Sequence, residues 1–165
     1  LFADTLELRH RVIKEYGLRI ITYRPRLTPE EQAAVHGADL WRSDPDHCCY
    51  LRKVEPMQRA IEDLGLEAWI TALRRDQSET RKDLDVYGRQ RLPSGRMLTK
   101  VHPLVHWTRQ DVWRYIHAHH VPYNPLLDRG YMSLGCTHCT VVSSGTERSG
   151  RWQGHQKTEC GLHTF

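Results

Sequence analysis

The spacing of five cysteines constrains this chain more than any other feature of its sequence. Cys48 and Cys49 are adjacent, Cys136 and Cys139 form a Cys-x-x-Cys pair, and Cys160 stands alone. An odd count that includes a Cys-x-x-Cys pair argues against a secreted disulfide framework and favours a reducing, cytoplasmic setting. Two thiol pairs that lie far apart in sequence can close one four-thiolate metal site, which requires a fold that brings them together.

The four-cysteine set leaves the identity of the metal open. Zinc and iron–sulfur clusters both accept four thiolates. The adjacent pair Cys48-Cys49 favours a cluster, because neighbouring side chains point in different directions and a cluster offers a separate iron to each. Zinc stays an alternative, as does a buried cysteine that packs as a small apolar residue and binds no metal.

Cys160 is predicted to be a nucleophile. Its segment carries four cationic or titratable side chains, namely Arg148, Arg151, Lys157 and His163. Cationic neighbours favour the thiolate form of a cysteine, and the thiolate is the nucleophilic form. The alternative is a spare thiol on a frayed end of the chain. The sequence holds no sixth cysteine to resolve an oxidised Cys160, so a second thiol would come from another protein.

The charged residues give the chain a mild positive balance. The formal net charge is +4 and the pI is about 8.9, which suits a small anionic ligand and predicts no nucleic-acid-binding stripe. No apolar run approaches the ~20 residues that span a bilayer, so no membrane association is expected. Arginine binds phosphate or sulfate through paired hydrogen bonds, and lysine acts as a point charge. The candidate anion ligands are Arg52, Lys53, Arg74, Arg75, Arg81, Arg148 and Arg151, and the alternative for each is a solvated surface charge.

Helical and strand-like patterns alternate along the chain. Helices are predicted over 6–16, 28–37, 48–64 and 108–119. Strands are predicted over 1–5, 18–23, 68–73 and 98–104, with a loop or hairpin over 74–96 and irregular structure after Pro125. This alternation predicts an α/β fold with a parallel sheet and flanking helices. Ligands of such sheets bind at the carboxyl ends of the strands, where Asp4-Thr5 and Arg74-Arg75 are expected to lie.

Three segments around the cysteines resemble the assimilatory adenylylsulfate reductases, a branch of the PAPS/APS reductase family. They are Asp46-His47-Cys48-Cys49-Tyr50-Leu51-Arg52-Lys53, Gly135-Cys136-Thr137-His138-Cys139 and Lys157-Thr158-Glu159-Cys160-Gly161-Leu162-His163. The resemblance extends over nearly the whole chain. The two cysteine pairs separate this branch from the related phosphoadenylylsulfate reductases, which keep the tail cysteine and lack both pairs.

The resemblance implies a Rossmann-like, adenine nucleotide alpha hydrolase-like domain over 1–165, with 140–165 as a mobile, loop-rich catalytic tail. The family's glycine-rich Ser-Gly-Gly phosphate loop has no counterpart here, so the N-terminal part of the nucleotide-binding domain is expected to be missing. The implied reaction converts adenosine 5′-phosphosulfate to sulfite and AMP, with thioredoxin or a glutaredoxin-like protein as electron donor, in sulfate assimilation. A homo-oligomer is compatible with this assignment.

The resemblance also implies a role for each site residue. Cys160 would attack the substrate sulfur to form an S-sulfocysteine, assisted by His163. A four-iron four-sulfur (4Fe-4S) cluster would be held by Cys48, Cys49, Cys136 and Cys139. The substrate contacts would be Lys53, Arg74, Arg75, Gln77, Arg81, Arg148 and Arg151. Two alternatives stay open: reduction of the 3′-phosphorylated nucleotide (PAPS), and a zinc-stabilised binding module without catalysis.

Overall fold

A computed structural model describes residues 1–163 and shows short helices packed around a small sheet. The α-helices are α1 (Ala3–Tyr16), α2 (Pro29–His36), α3 (Leu40–Ser43), α4 (Pro45–Cys49), α5 (Glu55–Asp63) and α6 (Arg109–Ala118). The strands are β1 (Ala68–Ile70), β2 (Tyr87–Arg91) and β3 (Met97–Val101). None of the helices within 1–163 combines the length and the apolar character that crossing a bilayer requires. The last two residues of the predicted 140–165 tail lie outside the described range.

Local signals in the sequence set the ends of three helices, as predicted. Helix α1 ends at Gly17, whose φ of 61° and ψ of 34° are the left-handed values that glycine adopts without steric cost. Helix α2 begins with a capping box in which Thr28 and Glu31 each satisfy the other's backbone N–H group. Thr108 and Asp111 form the same box at the start of α6.

The sheet has the order β1-β3-β2 and is mixed. Strand β1 runs parallel to β3, with Ala68 opposite Thr99. Strands β2 and β3 form an antiparallel hairpin, closed by a hydrogen bond of 2.8 Å from the Leu92 N–H to the Arg96 carbonyl. The expected parallel pairing therefore does not extend to β2 and β3, because a connection this short permits only antiparallel pairing. The predicted strands at 68–73 and 98–104 form, each in a shorter version.

Two predicted strands are absent from the described part of the chain. Residues 1–5 do not end a strand, because α1 already begins at Ala3. The Asp4 carboxylate in its first turn stabilises the helix by interacting with the positive end of the helix dipole. Asp4-Thr5 therefore does not follow a strand. Residues 18–23 have strand-forming side chains but no strand beside them, and Ile20 and Ile21 are 46% and 57% exposed. Strand propensity needs a neighbouring strand to be realised.

The predicted helix over 48–64 forms as one helical run, but a π-helical turn (Tyr50–Val54) separates α4 from α5. The Glu55 N–H donates to the Tyr50 carbonyl, five residues back. Pro56 gives the physical reason, because its ring would clash with the carbonyl four residues before it in a regular α-helix. Widening the preceding turn relieves that clash, and a π turn of this kind is often found at functional sites.

An apolar core joins α5 to the hairpin. Ile61 and Leu98 are fully buried, Leu92 is 3% exposed, and Met57, Leu66 and Trp69 pack around them. Burial of each large aliphatic side chain contributes about 1.5–3 kcal/mol relative to exposure. This core fixes α5, and through the π turn it fixes the cysteine pair at the end of α4.

Candidate active site

Four of the five cysteines line a single cavity of about 360 Å³. Cys48 and Cys49 come from the last turn of α4, whose first turn is capped by the Asp44 carboxylate. Cys136 and Cys139 lie on a short 3₁₀ turn closed by a 3.2 Å backbone hydrogen bond between them. The fold therefore brings together the two pairs that sequence spacing singled out.

Hydrogen bonding and burial act in opposite directions on these thiols. A hydrogen bond from the Cys139 thiol stabilises the Cys136 thiolate, which lowers the pKa of Cys136 and raises that of Cys139. Burial raises the pKa of Cys48 and of Cys49. Within residues 1–163, no three His, Cys, Asp or Glu side chains are arranged to hold a single metal ion. The nature of a metal at this site stays a prediction.

A second cavity, of about 370 Å³, contains the predicted nucleophile and most of its predicted partners. Its lining includes Lys53, Gln77, Arg81, Arg148, Arg151, Cys160 and His163. Lys53 lines this cavity and also the four-cysteine cavity. Cys160 packs against the buried cluster of Cys49, Cys139 and Trp152. The structure thus places the tail cysteine, several cations and the cysteine pairs next to one another.

Arg74 and Arg75, predicted to contact the substrate, are not among the lining residues of this cavity. Arg74 is buried and forms ion pairs of 2.9 Å with Asp76 and 2.8 Å with Glu147. Arg75 donates to the Leu84 carbonyl at 2.6 Å and pairs with an exposed aspartate. Both arginines follow β1, as expected, but carboxylate and carbonyl partners within the protein engage them.

A cavity of about 420 Å³ between α1 and α6 contains none of the predicted site residues. Its polar lining consists of Arg11, His117, His120, Tyr123 and Asp128. No cysteine lines it, so the cavity beside Cys160 is the candidate active site, because a cysteine and several cations meet there.

Trp152 is a residue of this region that sequence reasoning assigned no role. It is 3% exposed and has a left-handed φ of 47°. The Arg151 guanidinium lies 4.3 Å from its ring centroid, and Arg148 and Lys157 lie 5.6 Å away. Arg151 also donates to the Leu134 carbonyl at 3.0 Å. The indole therefore supports three cations of the tail through cation–π contacts.

Glu159 was also missed, although it directly precedes Cys160. Its carboxylate accepts hydrogen bonds from the Arg81 guanidinium at 2.9 and 2.8 Å and from Arg148 at 3.2 Å. Burial favours the neutral acid, but these two cations outweigh it and hold the pKa of Glu159 below its usual value. A single acid beside Cys160, in an otherwise basic segment, was the signal available in the sequence.

His163 lies at the other side of Cys160. Its ring stacks on Trp69 at a centroid distance of 5.1 Å, and its carbonyl accepts a 2.6 Å hydrogen bond from Lys100. Burial, with the nearby charges of Arg81 and Lys100, lowers the pKa of His163 to about 4. The ring is therefore neutral at pH 7. Its Nδ1 atom is buried and has no hydrogen-bond partner within residues 1–163.

Comparison with known proteins places this geometry in context. The family model of the phosphoadenosine phosphosulfate reductase domain matches residues 1–142. Two relatives named adenosine 5′-phosphosulfate reductase, from Lysinibacillus sphaericus (strain C3-41) and Bacillus mycoides (strain KBAB4), are each 47% identical over 165 residues. Each alignment covers 98% of this chain, and 69% and 68% of the respective relative.

Solved structures show the same architecture. The phosphoadenylyl-sulfate (PAPS) reductase of Candida auris, in a phosphate complex, matches with a TM-score of 0.72 and 39% identity. The match covers 85% of this chain and 66% of that one, so the chain spans slightly less than two thirds of that structure. The FMN adenylyltransferase of Candida glabrata, 15% identical, matches with a TM-score of 0.61 over 86% of this chain and 41% of its own, and shares the fold alone. The predicted α/β, adenine nucleotide alpha hydrolase-like fold is confirmed.

Proposed function

The chain belongs to the phosphoadenosine phosphosulfate reductase family, and from that premise we propose that it reduces adenosine 5′-phosphosulfate to sulfite and AMP. The observation that carries the proposal is the cavity in which Cys160 lies together with Lys53, Arg148 and Arg151. A nucleophilic sulfur beside a set of fixed cations suits attack on a sulfuryl group attached to a phosphate. The reaction belongs to sulfate assimilation.

The choice of nucleotide rests on the closer relatives. The relatives at 47% identity are named for adenosine 5′-phosphosulfate, whereas the solved relative at 39% is named for the 3′-phosphorylated nucleotide. The two cysteine pairs favour the same choice, because the resemblance that they carry is to the adenylylsulfate branch. Reduction of the 3′-phosphorylated nucleotide is the second candidate, and the solved relative supports it.

In the first step the Cys160 thiolate attacks the substrate sulfur. An S–S bond forms while the bond from that sulfur to the phosphate oxygen breaks, and AMP leaves with the electron pair. Negative charge grows on the departing phosphate, where Lys53 and Arg148 can stabilise it. The neutral His163 ring can orient the thiol or the sulfuryl group through a hydrogen bond. No hydride donor is required.

In the second step a dithiol protein reduces the S-sulfocysteine. We propose a thioredoxin, or a related glutaredoxin-like protein, as that partner. One of its thiolates attacks Cys160, the S–S bond to the sulfuryl group breaks, and sulfite leaves. The second thiol of the partner then displaces Cys160 and leaves the partner as a disulfide, which supplies both electrons. Because Cys160 packs against Cys49, Cys139 and Trp152, the tail must open before this step.

We further propose that the four cysteines lining the other cavity hold a four-iron four-sulfur cluster. Four thiols on a partly buried cavity wall are a donor set that such a cluster accepts. When bound, the cluster would supply a fixed local charge and tie α4 to the turn at 136–139. Lys53, which lines both cavities, would then be held at a defined place beside the substrate.

The covalent intermediate provides the direct test. The full-length protein is incubated with adenosine 5′-phosphosulfate in the absence of a reductant and then digested for peptide mass measurement. We expect the mass of one SO₃ group on the peptide that contains Cys160, and none in a Cys160→Ser variant that still binds AMP. An unmodified Cys160 peptide, or sulfite formation by the serine variant at the wild-type rate, contradicts the proposal.

The metal proposal and the zinc-stabilised module differ in a simple measurement. A cluster gives a brown protein that contains iron and acid-labile sulfide, whereas a zinc site gives a colourless one. A colourless protein with stoichiometric zinc and no sulfonated Cys160 would favour the module over the reductase.

A further inference from the structure

One carboxylate fastens the tail to a distant part of the chain. Glu159 is 78 residues from Arg81 in sequence, yet the Arg81 Nε and Nη2 atoms reach its two oxygens at 2.9 and 2.8 Å. The hydroxyl groups of Ser78 and Thr80 each donate to the same carboxylate at 3.2 Å. The paired geometry and the low exposure of both side chains, 9% and 17%, make this a strong contact.

All three guanidinium nitrogens of Arg81 donate hydrogen bonds within the protein. Two of its nitrogens bind Glu159, and the third donates to the Gln77 side chain. Gln77 in turn accepts a 3.2 Å hydrogen bond from the Arg74 N–H, which holds the assembly in one orientation. Although Arg81 lines the cavity, in this conformation its guanidinium binds the tail.

The contact lies directly beside the nucleophile. Arg148 adds hydrogen bonds of 3.0 and 2.7 Å to the Thr158 carbonyl, on the same side of Cys160. Lys100 binds the His163 carbonyl on the other side. Cys160 is therefore held between two anchored segments, Thr158-Glu159 before it and His163 after it. More hydrogen bonds from charged groups hold the segment before it.

Resting on the proposed role of Cys160, we propose that Glu159 is a positioning residue, which holds the nucleophile in the cavity by pairing with Arg81. The pair closes the tail for attack on the substrate, and its separation exposes Cys160 to the reductant. Glu159 itself does not touch the reacting atoms. Loss of its carboxylate should slow formation of the intermediate, because Cys160 is then less firmly held in the cavity. Nucleotide binding should not weaken, because Arg81 and Arg148 lose an anion that competes with the nucleotide.

The test compares Glu159→Gln with wild type in two independent measurements. The first is the rate at which iodoacetamide alkylates Cys160 in the absence of substrate, followed on the Cys160 peptide. The second is the single-turnover rate of Cys160 sulfonation by adenosine 5′-phosphosulfate. We expect alkylation at least ~10-fold faster and sulfonation at least ~10-fold slower, with an AMP Kd equal to or below that of wild type.

Matched variants separate positioning from a general loss of structure. Glu79→Gln removes a carboxylate from the short segment that contains Arg81. Glu79 is 82% exposed and pairs only with Lys82 among the described contacts, so both rates should equal those of wild type. Glu159→Asp keeps the charge and should recover part of the sulfonation rate. Arg81→Lys keeps charge but loses the paired geometry, and should shift both rates in the same direction as Glu159→Gln.

The outcomes distinguish this proposal from the proposed function. Wild-type alkylation and sulfonation rates in Glu159→Gln would overturn the positioning role while leaving Cys160 as the nucleophile. A weakened AMP Kd with an unchanged alkylation rate would also overturn it, because that result describes a substrate-site defect. A wild-type protein that takes up no sulfonate would overturn the reductase proposal, and the alkylation comparison would still report on the Glu159–Arg81 contact.

Discussion

Replacing Gly135 by alanine tests whether Arg151 must occupy its observed place. A Cβ atom at position 135 would lie 2.5 Å from the Arg151 Cζ, a distance that real Cβ atoms essentially never show, and 3.0 Å from its Nε. The backbone there is not in the left-handed region, so the added methyl group acts on Arg151 rather than on the conformation of the glycine. The arginine side chain is flexible, and it is expected to move aside.

The cost follows from the contacts that Arg151 would lose. Its position over the buried Trp152 ring contributes about 2 kcal/mol. Its hydrogen bond to the Leu134 carbonyl contributes about 1.5–3 kcal/mol, as for other charged donors. Alanine also restricts the unfolded chain, which offsets about 0.4–1 kcal/mol. We expect the free energy of unfolding to fall by about 2.5–4.5 kcal/mol.

The assays are urea denaturation and calorimetric titration with AMP. If Arg151 contacts the nucleotide, its displacement should weaken the Kd by about 10- to 100-fold, the equivalent of one charged hydrogen bond. Gly88→Ala is the matched control, because a Cβ there meets only the Lys100 Cβ, at 3.8 Å; its stability should stay within ~1 kcal/mol of wild type. Wild-type stability and affinity in Gly135→Ala would refute this account of Arg151.

Three further predictions concern the cysteines, the tail and the substrate. Cys49→Ser should lose iron and unfold at lower urea concentration, because metal-binding energy is partly folding energy; full iron content would exclude Cys49 as a ligand. The free energy of unfolding should fall as pH drops from 6.5 to about 4, because the unfolded state protonates His163 in that window and the native state does not; His163→Gln should flatten that part of the profile. Adenosine 5′-phosphosulfate should have the higher kcat/KM of the two nucleotides, and a ~100-fold preference for the 3′-phosphorylated one, about 2.7 kcal/mol, would reverse the assignment.

Local signals predicted more of this fold than non-local ones did. The capping boxes at Thr28 and Thr108 and the stop at Gly17 depend on residues within one turn, so the sequence contains everything that decides them. The 18–23 segment has a strand composition, but whether it forms a strand depends on a neighbour elsewhere in the chain. The π turn also escaped prediction, because helical periodicity does not register one widened turn.

The same distinction holds in the site. Spacing and resemblance singled out the cysteines, and the fold brings both pairs to one cavity. The contact between Arg81 and Glu159 joins two segments that have no common motif, so its partners could not be matched from sequence. Arg74 carries the same chemical group as Arg81, yet it pairs with Asp76 and Glu147. Residue type predicted a capacity to bind anions, and only the fold determined which anion each arginine meets.

The π turn makes chain length, more than side-chain identity, the critical property of the segment at 50–54. Because Pro56 keeps this turn wide, removing one residue from 50–54 would draw Cys49 into the π turn. The cysteine pair would then rotate about the helix axis by roughly the 100° that separates neighbouring residues of a regular α-helix. The core around Ile61 would keep α5 in place, and the thiols at the end of α4 would swing away from those at 136 and 139. Substitutions at Tyr50 or Leu51 should be tolerated far better than any insertion or deletion beside them.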